Sequence, residues 1–172
     1  MGGGFTEPVN TTGQYTNVGW NVGGGLGFNF DPYVGALVDL NYDRLAFNST
    51  TLGNVGGSGG GLHVFSATLD PIVHVTPKSH VDVYVTGGFG IYHLMQDFTQ
   101  PAGPSATGYY PYLGYYNGAV SSYGTNHLGF DGGMGVAFGS RWHGKFFAEA
   151  RFNRTLGYYH TDYVPVTFGF RW

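Results

Sequence analysis

Four of the seven histidines in this 172-residue chain, His63, His93, His127 and His160, fall where an alternating sequence pattern gives way to loops. Asp97 and Asp162 fall there too. A histidine within hydrogen-bond reach of a carboxylate and a hydroxyl activates a nucleophile or a water. Mutual reach is a matter of three-dimensional geometry that spacing alone does not establish, and no local hydrolase motif surrounds any of the candidates. The expectation is therefore no catalysis and no metal ion, with solvated rim histidines instead. His74, His80 and His143 lie at the opposite end of the pattern and are expected to play interfacial roles. "GGGLG" and "GGMGVAFG" superficially suggest a phosphate cradle, but that needs a strand leading into a helix N-terminus. These glycines sit inside alternating runs, so no cofactor is expected. Three Asn-X-Ser/Thr sequons, at Asn10, Asn48 and Asn153, are read as chance.

Composition narrows the class. Charged residues make up only 10% of the chain, aromatics reach 18%, and there are 32 glycines. No cysteine is present, which excludes disulfides and thiolate chemistry. A formal net charge of -3 argues against nucleic acid as a partner. No apolar run approaches the ~18 residues of a membrane helix, and "MGGGF" lacks the basic and apolar regions of a signal peptide.

The elements that must position any site read as strands. "NVGWNVGGGLGFNF" sets Val18, Trp20, Val22, Leu26, Phe28 and Phe30 on one face and Gly or Asn on the other. The same alternation recurs in 34–42, 65–75, 81–91, 128–138, 146–152 and 164–172. "GGGF" at the start supplies a short, truncated eighth strand. Single-chain bacterial barrels use even strand counts, and closure leaves no exposed edge. Connections alternate strictly, being short at 31–32, 76–80 and 139–144 and long at 7–15, 48–61, 97–126 and 154–162. The predicted fold is an all-β, antiparallel, up-and-down, eight-stranded transmembrane β-barrel forming one domain over residues 1–172.

Face content decides which way the barrel is turned. The apolar parity carries only Arg44 and Arg154 as charges, both near the loop rim. The other parity carries the acids, most remaining cations and most strand glycines, which would weaken a water-facing wall. The apolar face is therefore expected outside, in lipid. Asp39, Asp82, Asp131, Glu149, Arg151 and Arg171 are expected inside as a paired polar network. Glycines should leave room there for Tyr84, Tyr92, Phe147 and Arg151. Pro71 and Pro165 should each interrupt a ladder.

The last nine residues, "VPVTFGFRW", place Val166, Phe168, Phe170 and Trp172 on the lipid parity. This terminal stretch, together with "KFFAEARFNR" and "GWNVGGGLGFNF", resembles the OmpA-like eight-stranded outer-membrane β-barrel family. The resemblance covers nearly the whole chain and is specific for architecture, with no catalytic motif to carry over. It implies a bacterial outer-membrane protein whose partners are membrane lipid and the outer-membrane assembly machinery. The terminal residues would be the assembly signal, and the role structural, anchoring or surface-interacting. Copies of the chain itself are the alternative partner, in a self-assembling filament-type subunit. A small-solute pore or ligand-binding barrel is a further alternative, although eight strands enclose a lumen just wide enough for side chains to fill. Tyr109, Tyr110, Tyr112, Tyr115, Tyr116 and Tyr123 form a candidate contact loop, because tyrosine offers rigid amphipathic area at low entropic cost.

Overall fold

Alternation with period two buries one face of each strand and leaves the other outside. Wrapped into a cylinder, such strands pair along both edges. The computed structural model describes residues 1–55, 59–99, 107–110, 114–117, 122–140, 144–157 and 160–172. Its barrel strands are β1 (Gly2–Pro8), β2 (Gly19–Asn29), β3 (Val34–Ala46), β4 (Gly59–His74), β5 (Val81–Thr99), β8 (Ser122–Ser140), β9 (Gly144–Leu156) and β10 (Asp162–Arg171). They close in the order β1-β10-β9-β8-β5-β4-β3-β2, every neighbour antiparallel. Short helices α1 (Thr12–Tyr15) and α2 (Ser49–Val55) stand in two long connections. A separate hairpin, β6 (Thr107–Tyr110) with β7 (Gly114–Asn117), stands in a third.

The first turn shows how local chemistry sets register. Asp31 Oδ1 accepts from the amides of Tyr33 and Val34 at 2.6 and 2.8 Å, an Asx turn that reverses the chain. At both prolines the pairing toward one neighbour lapses without a change of register. Leu69↔Phe89 is followed by Ile72↔Thr86, and Tyr163↔Asn153 by Val166↔Ala150. The opposite edge of each proline stays paired. The freed Pro71 carbonyl accepts from Thr86 Oγ1 at 3.1 Å.

β1 covers more of β10 than its length in the sequence suggests. It pairs from Gly2↔Gly169 to Pro8↔Tyr163, and Met1 exchanges two further backbone hydrogen bonds with Phe170. A first strand as short as "GGGF" would leave part of the last strand uncovered; β1 instead pairs with it as far as Phe170. The incomplete pairing falls instead on β2, whose residues 24–29 pair with β3 alone among the described residues.

The outward face carries Val22, Leu26, Val38, Leu69, Val85, Phe89, Ile91, Leu128, Met134 and Phe168, all exposed. On β4, β5 and β8 the apolar stretch runs over 65–75, 81–91 and 128–138. Each matches the ~9–11 residues that a tilted strand needs to cross hydrocarbon. The strands then continue past this band on the loop side.

Inside the extension the wall changes character. Leu45, Phe47, Leu62, Val64, Leu94, Tyr92 and Tyr163 form one buried apolar cluster, with Leu52 and Phe98 against it. The polar inward parity expected along the whole strand is replaced here by an apolar plug. Above the bilayer the barrel is surrounded by water, so its interior is a dry core as in a soluble protein. Below the plug, glycines make space for large inward side chains. A Cβ on Gly129 would meet the Tyr92 ring at 2.6 Å and one on Gly169 the Phe147 ring at 2.7 Å. One on Gly135 would overlap the Tyr84 ring and hydroxyl.

Candidate functional site

Two polar constellations stand out, one inside the barrel and one on its outer rim. The lumen is built in tiers. Nearest the short turns, Asp82 on β5 is almost fully buried, and its Oδ2 accepts from three donors. These are His74 Nδ1 at 2.8 Å, Arg171 Nη2 at 3.0 Å and Lys145 Nζ at 3.4 Å. The Arg171 guanidinium also lies 4.6 Å from the Tyr84 ring centroid, a cation–π contact.

The next tier centres on Arg151 of β9. Its Nε donates to Glu149, two residues along the same face. Its Nη1 donates to Asp70 Oδ2 at 2.7 Å and approaches Asp39 Oδ2 at 3.3 Å and Asp131 Oδ1 at 3.7 Å. One cation thus faces carboxylates from β3, β4, β8 and its own strand. Above it Thr6 donates to Asp43 at 2.6 Å, and Asn21 links Thr6 to Thr167 at 3.2 and 2.9 Å. Tyr92 donates to Asn153 at 3.3 Å beneath the plug.

A cavity of about 700 Å³ opens at the short-turn end. It reaches inward to Asp43, Ser66 and Asn153, where the apolar plug begins.

The structure therefore brings Asp39, Asp131, Glu149 and Arg151 into one group and places Asp82 and Arg171 in a second. The network is two clusters rather than one. Sequence reasoning assigned His74 an interfacial role; it points inward and holds Asp82. Lys145, Asp43 and Asp70 lie on the expected inward parity but were not singled out. Their partners Asp82, Thr6 and Arg151 lie 37 to 81 residues away, so no local spacing could have named them.

On the outer wall, above the apolar band, His63 bridges two strands. Its Nε2 donates to Asp97 Oδ1 at 2.6 Å, which leaves Nδ1 to accept from the Tyr42 hydroxyl at 2.6 Å. Tyr42 packs edge-on to Trp20 and tilted against Phe65, at 5.2 and 4.6 Å between ring centres. His93 donates to Asn126 at 2.7 Å nearby. Arg154 forks onto Asp162 at 2.7 and 2.6 Å, with Asn10 on the same carboxylate. His127 bonds to Thr125 and His160 to the Thr155 carbonyl. The four rim histidines thus hold separate partners. Among the described residues no three His, Asp or Glu side chains converge as metal ligands.

Tyr109 is in register with Tyr115 across the β6–β7 hairpin, Gly108 with Tyr116 and Tyr110 with Gly114. Tyr123 is exposed on β8, and Tyr112 lies outside the described residues. The terminal residues keep the outward parity, with Phe168 and Trp172 exposed. Phe170 packs edge-on to Phe146 and tilted against Trp172, at 5.3 and 6.2 Å between ring centres.

Closed topology, an apolar exterior and a polar interior decide the architecture. The fold is that of a small transmembrane barrel. Solved structures agree. Ail, the attachment invasion locus protein of Yersinia pestis, in complex with the heparin analogue sucrose octasulfate, superposes with a TM-score of 0.55 at 15% identity. The match covers 99% of this chain and 96% of that one. A second structure of Ail, without the analogue in its description, gives a TM-score of 0.52 at 15% identity over 99% and 95%. This likeness is one of fold. It bears out the eight-stranded barrel without singling out the OmpA-like group. No protein-family model and no curated protein sequence matches the chain.

Proposed function

We propose that the chain is an integral barrel of the bacterial outer membrane that anchors loops at the cell surface for contact with a partner. One observation carries this reading: an outward apolar band, eleven residues deep on β4, β5 and β8, around a charged interior. In water that arrangement would expose a hydrocarbon-like wall; in lipid it satisfies both faces. The Trp20, Tyr42 and Phe65 belt marks the upper interface, where amphipathic rings gather. The lower girdle is Phe28, Phe146, Phe170 and Trp172.

The loops supply the contact chemistry. Segments 48–61 and 98–126 contain no Lys or Arg, so a sulfated polyanion like the analogue bound to Ail has no cationic partner in them. The tyrosines of 109–123 favour a partner met through stacking and hydrogen bonds. No catalysis is assigned. Among the described residues, the hydroxyl bonded to His63 belongs to a tyrosine set between Trp20 and Phe65 on the outer wall at the upper interface. Val166, Phe168, Phe170 and Trp172 fit the role of signal to the assembly machinery.

The test is membrane fractionation combined with gel migration before and after heating. The expected result is outer-membrane recovery, release only by detergent, and slower migration after boiling. Recovery in the soluble fraction without detergent refutes the reading.

A further inference from the structure

The Arg151 tier has a deficit that its own residues do not fill. A guanidinium Nη1 carries two hydrogens, yet three carboxylate oxygens lie around it, at 2.7, 3.3 and 3.7 Å. The Nε hydrogen is taken by Glu149. Asp39 gains a second donor from Asn41 at 2.8 Å, and Asp70 one from Thr68 at 2.9 Å. Asp131 gains none. Both of its oxygens are buried without a hydrogen-bond partner, and its side chain is 1% exposed. Asp70 Oδ1 is left in the same state. With all four carboxylates ionised, one guanidinium would leave three negative charges in excess, and a buried unpaired charge is costly.

What is missing is therefore a positive charge bearing hydrogen-bond donors, and the cavity gives it a way in. Asp39, Asp131 and Glu149 all line that cavity. Its volume of about 700 Å³ suits a small organic molecule rather than a bare ion. The described carboxylates do not gather as ligands of a metal. Between the mouth and the acidic floor, Leu37, Ile72 and Phe147 form an apolar strip of a wall that they share with the paired Asp82 tier.

We propose that the lumen is a binding site for a small organic ammonium ion. The ammonium head donates to Asp131 and its carboxylate neighbours, and the apolar body lies along Leu37, Ile72 and Phe147. Entry is from the short-turn side, because the plug closes the other end. Primary amines fit better than quaternary ones, since the orphaned oxygens need donors as well as charge.

The experiment uses the full chain, refolded in zwitterionic detergent micelles, with n-butylammonium as the probe. Methyl shifts of Leu37 and Ile72 are followed by NMR, with n-butanol and tetramethylammonium as controls. Saturable shifts with butylammonium are expected, at least tenfold weaker with either control. D131N should weaken butylammonium binding at least tenfold while keeping the heat-modifiable migration of a folded barrel. Absence of saturable binding overturns the proposal, as does equal binding by D131N or by tetramethylammonium; the excess charge is then neutralised by protons. Any of these failures leaves the membrane assignment intact, since that is read from fractionation.

Discussion

Arg151→Met removes the one guanidinium around which Asp39, Asp70, Asp131 and Glu149 are arranged. The methionine keeps the volume and drops the charge and its donors. Asp70 is fully buried and Asp131 nearly so, so neither recovers hydration in the folded barrel. Removing one partner of a buried ion pair costs about 3–5 kcal/mol. With a urea slope near ~2 kcal/mol/M, the unfolding midpoint should fall by about 2 M. The assay is urea unfolding of the refolded barrel in lipid vesicles, followed by tryptophan fluorescence and by migration on unheated gels. Two companions test the reasoning. Asp131→Asn deletes the carboxylate that receives no hydrogen bond, so its midpoint should stay level or rise. Asp70→Asn placed in the R151M background should return part of the loss, with a coupling of about 0.5–3 kcal/mol as expected for residues in one network. An R151M midpoint equal to that of the parent chain would show that the acidic tier does not depend on its arginine. A loss for D131N as large as for R151M would refute the count of donors.

Depth in the membrane should govern the outer wall: Val85→Arg, mid-band on β5, is expected to cost about 2–4 kcal/mol, and His93→Arg at the rim about 0–1 kcal/mol, both by vesicle unfolding. Gly135→Val pushes a side chain into the Tyr84 ring and should cut the folded fraction on unheated gels, with Tyr84→Ala in the same chain restoring it. Replacing Phe170 and Trp172 together by Ser should lower the outer-membrane fraction in cells if the terminal stretch is the assembly signal; unchanged insertion removes that role.

The wall of the barrel was legible in the sequence because lipid imposes one rule on every strand. Each outward position in 81–91 or 128–138 must be apolar whatever its neighbours, so parity and face can be assigned strand by strand. The interior obeys no such local rule. Arg151 meets Asp70 across 81 positions, and that meeting depends on radius and stagger. Sequence gave the inward parity of both residues but not their contact. His74 was misplaced because it sits beside a tight turn, where a histidine in the headgroup region is equally reasonable. The plug was missed for a different reason. Leu45, Leu62, Val64 and Leu94 lie beyond the end of the membrane pattern, in stretches whose alternation reverses the polarity of its faces. They fall in the gaps between the expected strands and the expected loops, and only the extended strands place them. The Tyr42–His63–Asp97 chain joins three strands at one height, and only the register reveals that these heights coincide.

The apolar plug has a consequence for how the protein tolerates change. It seals the barrel above the bilayer chiefly through strand residues, with Phe47 just past β3 and Leu52 on α2 added to them, so the barrier between outside and inside depends little on what the other loops contain. Loop residues are then free to drift, lengthen or be replaced under selection from the cell's surroundings without making the wall leak. The molecule behaves as a stoppered mount on which new surface segments can be displayed. Foreign epitopes inserted near 118–120 should leave the envelope as tight as before.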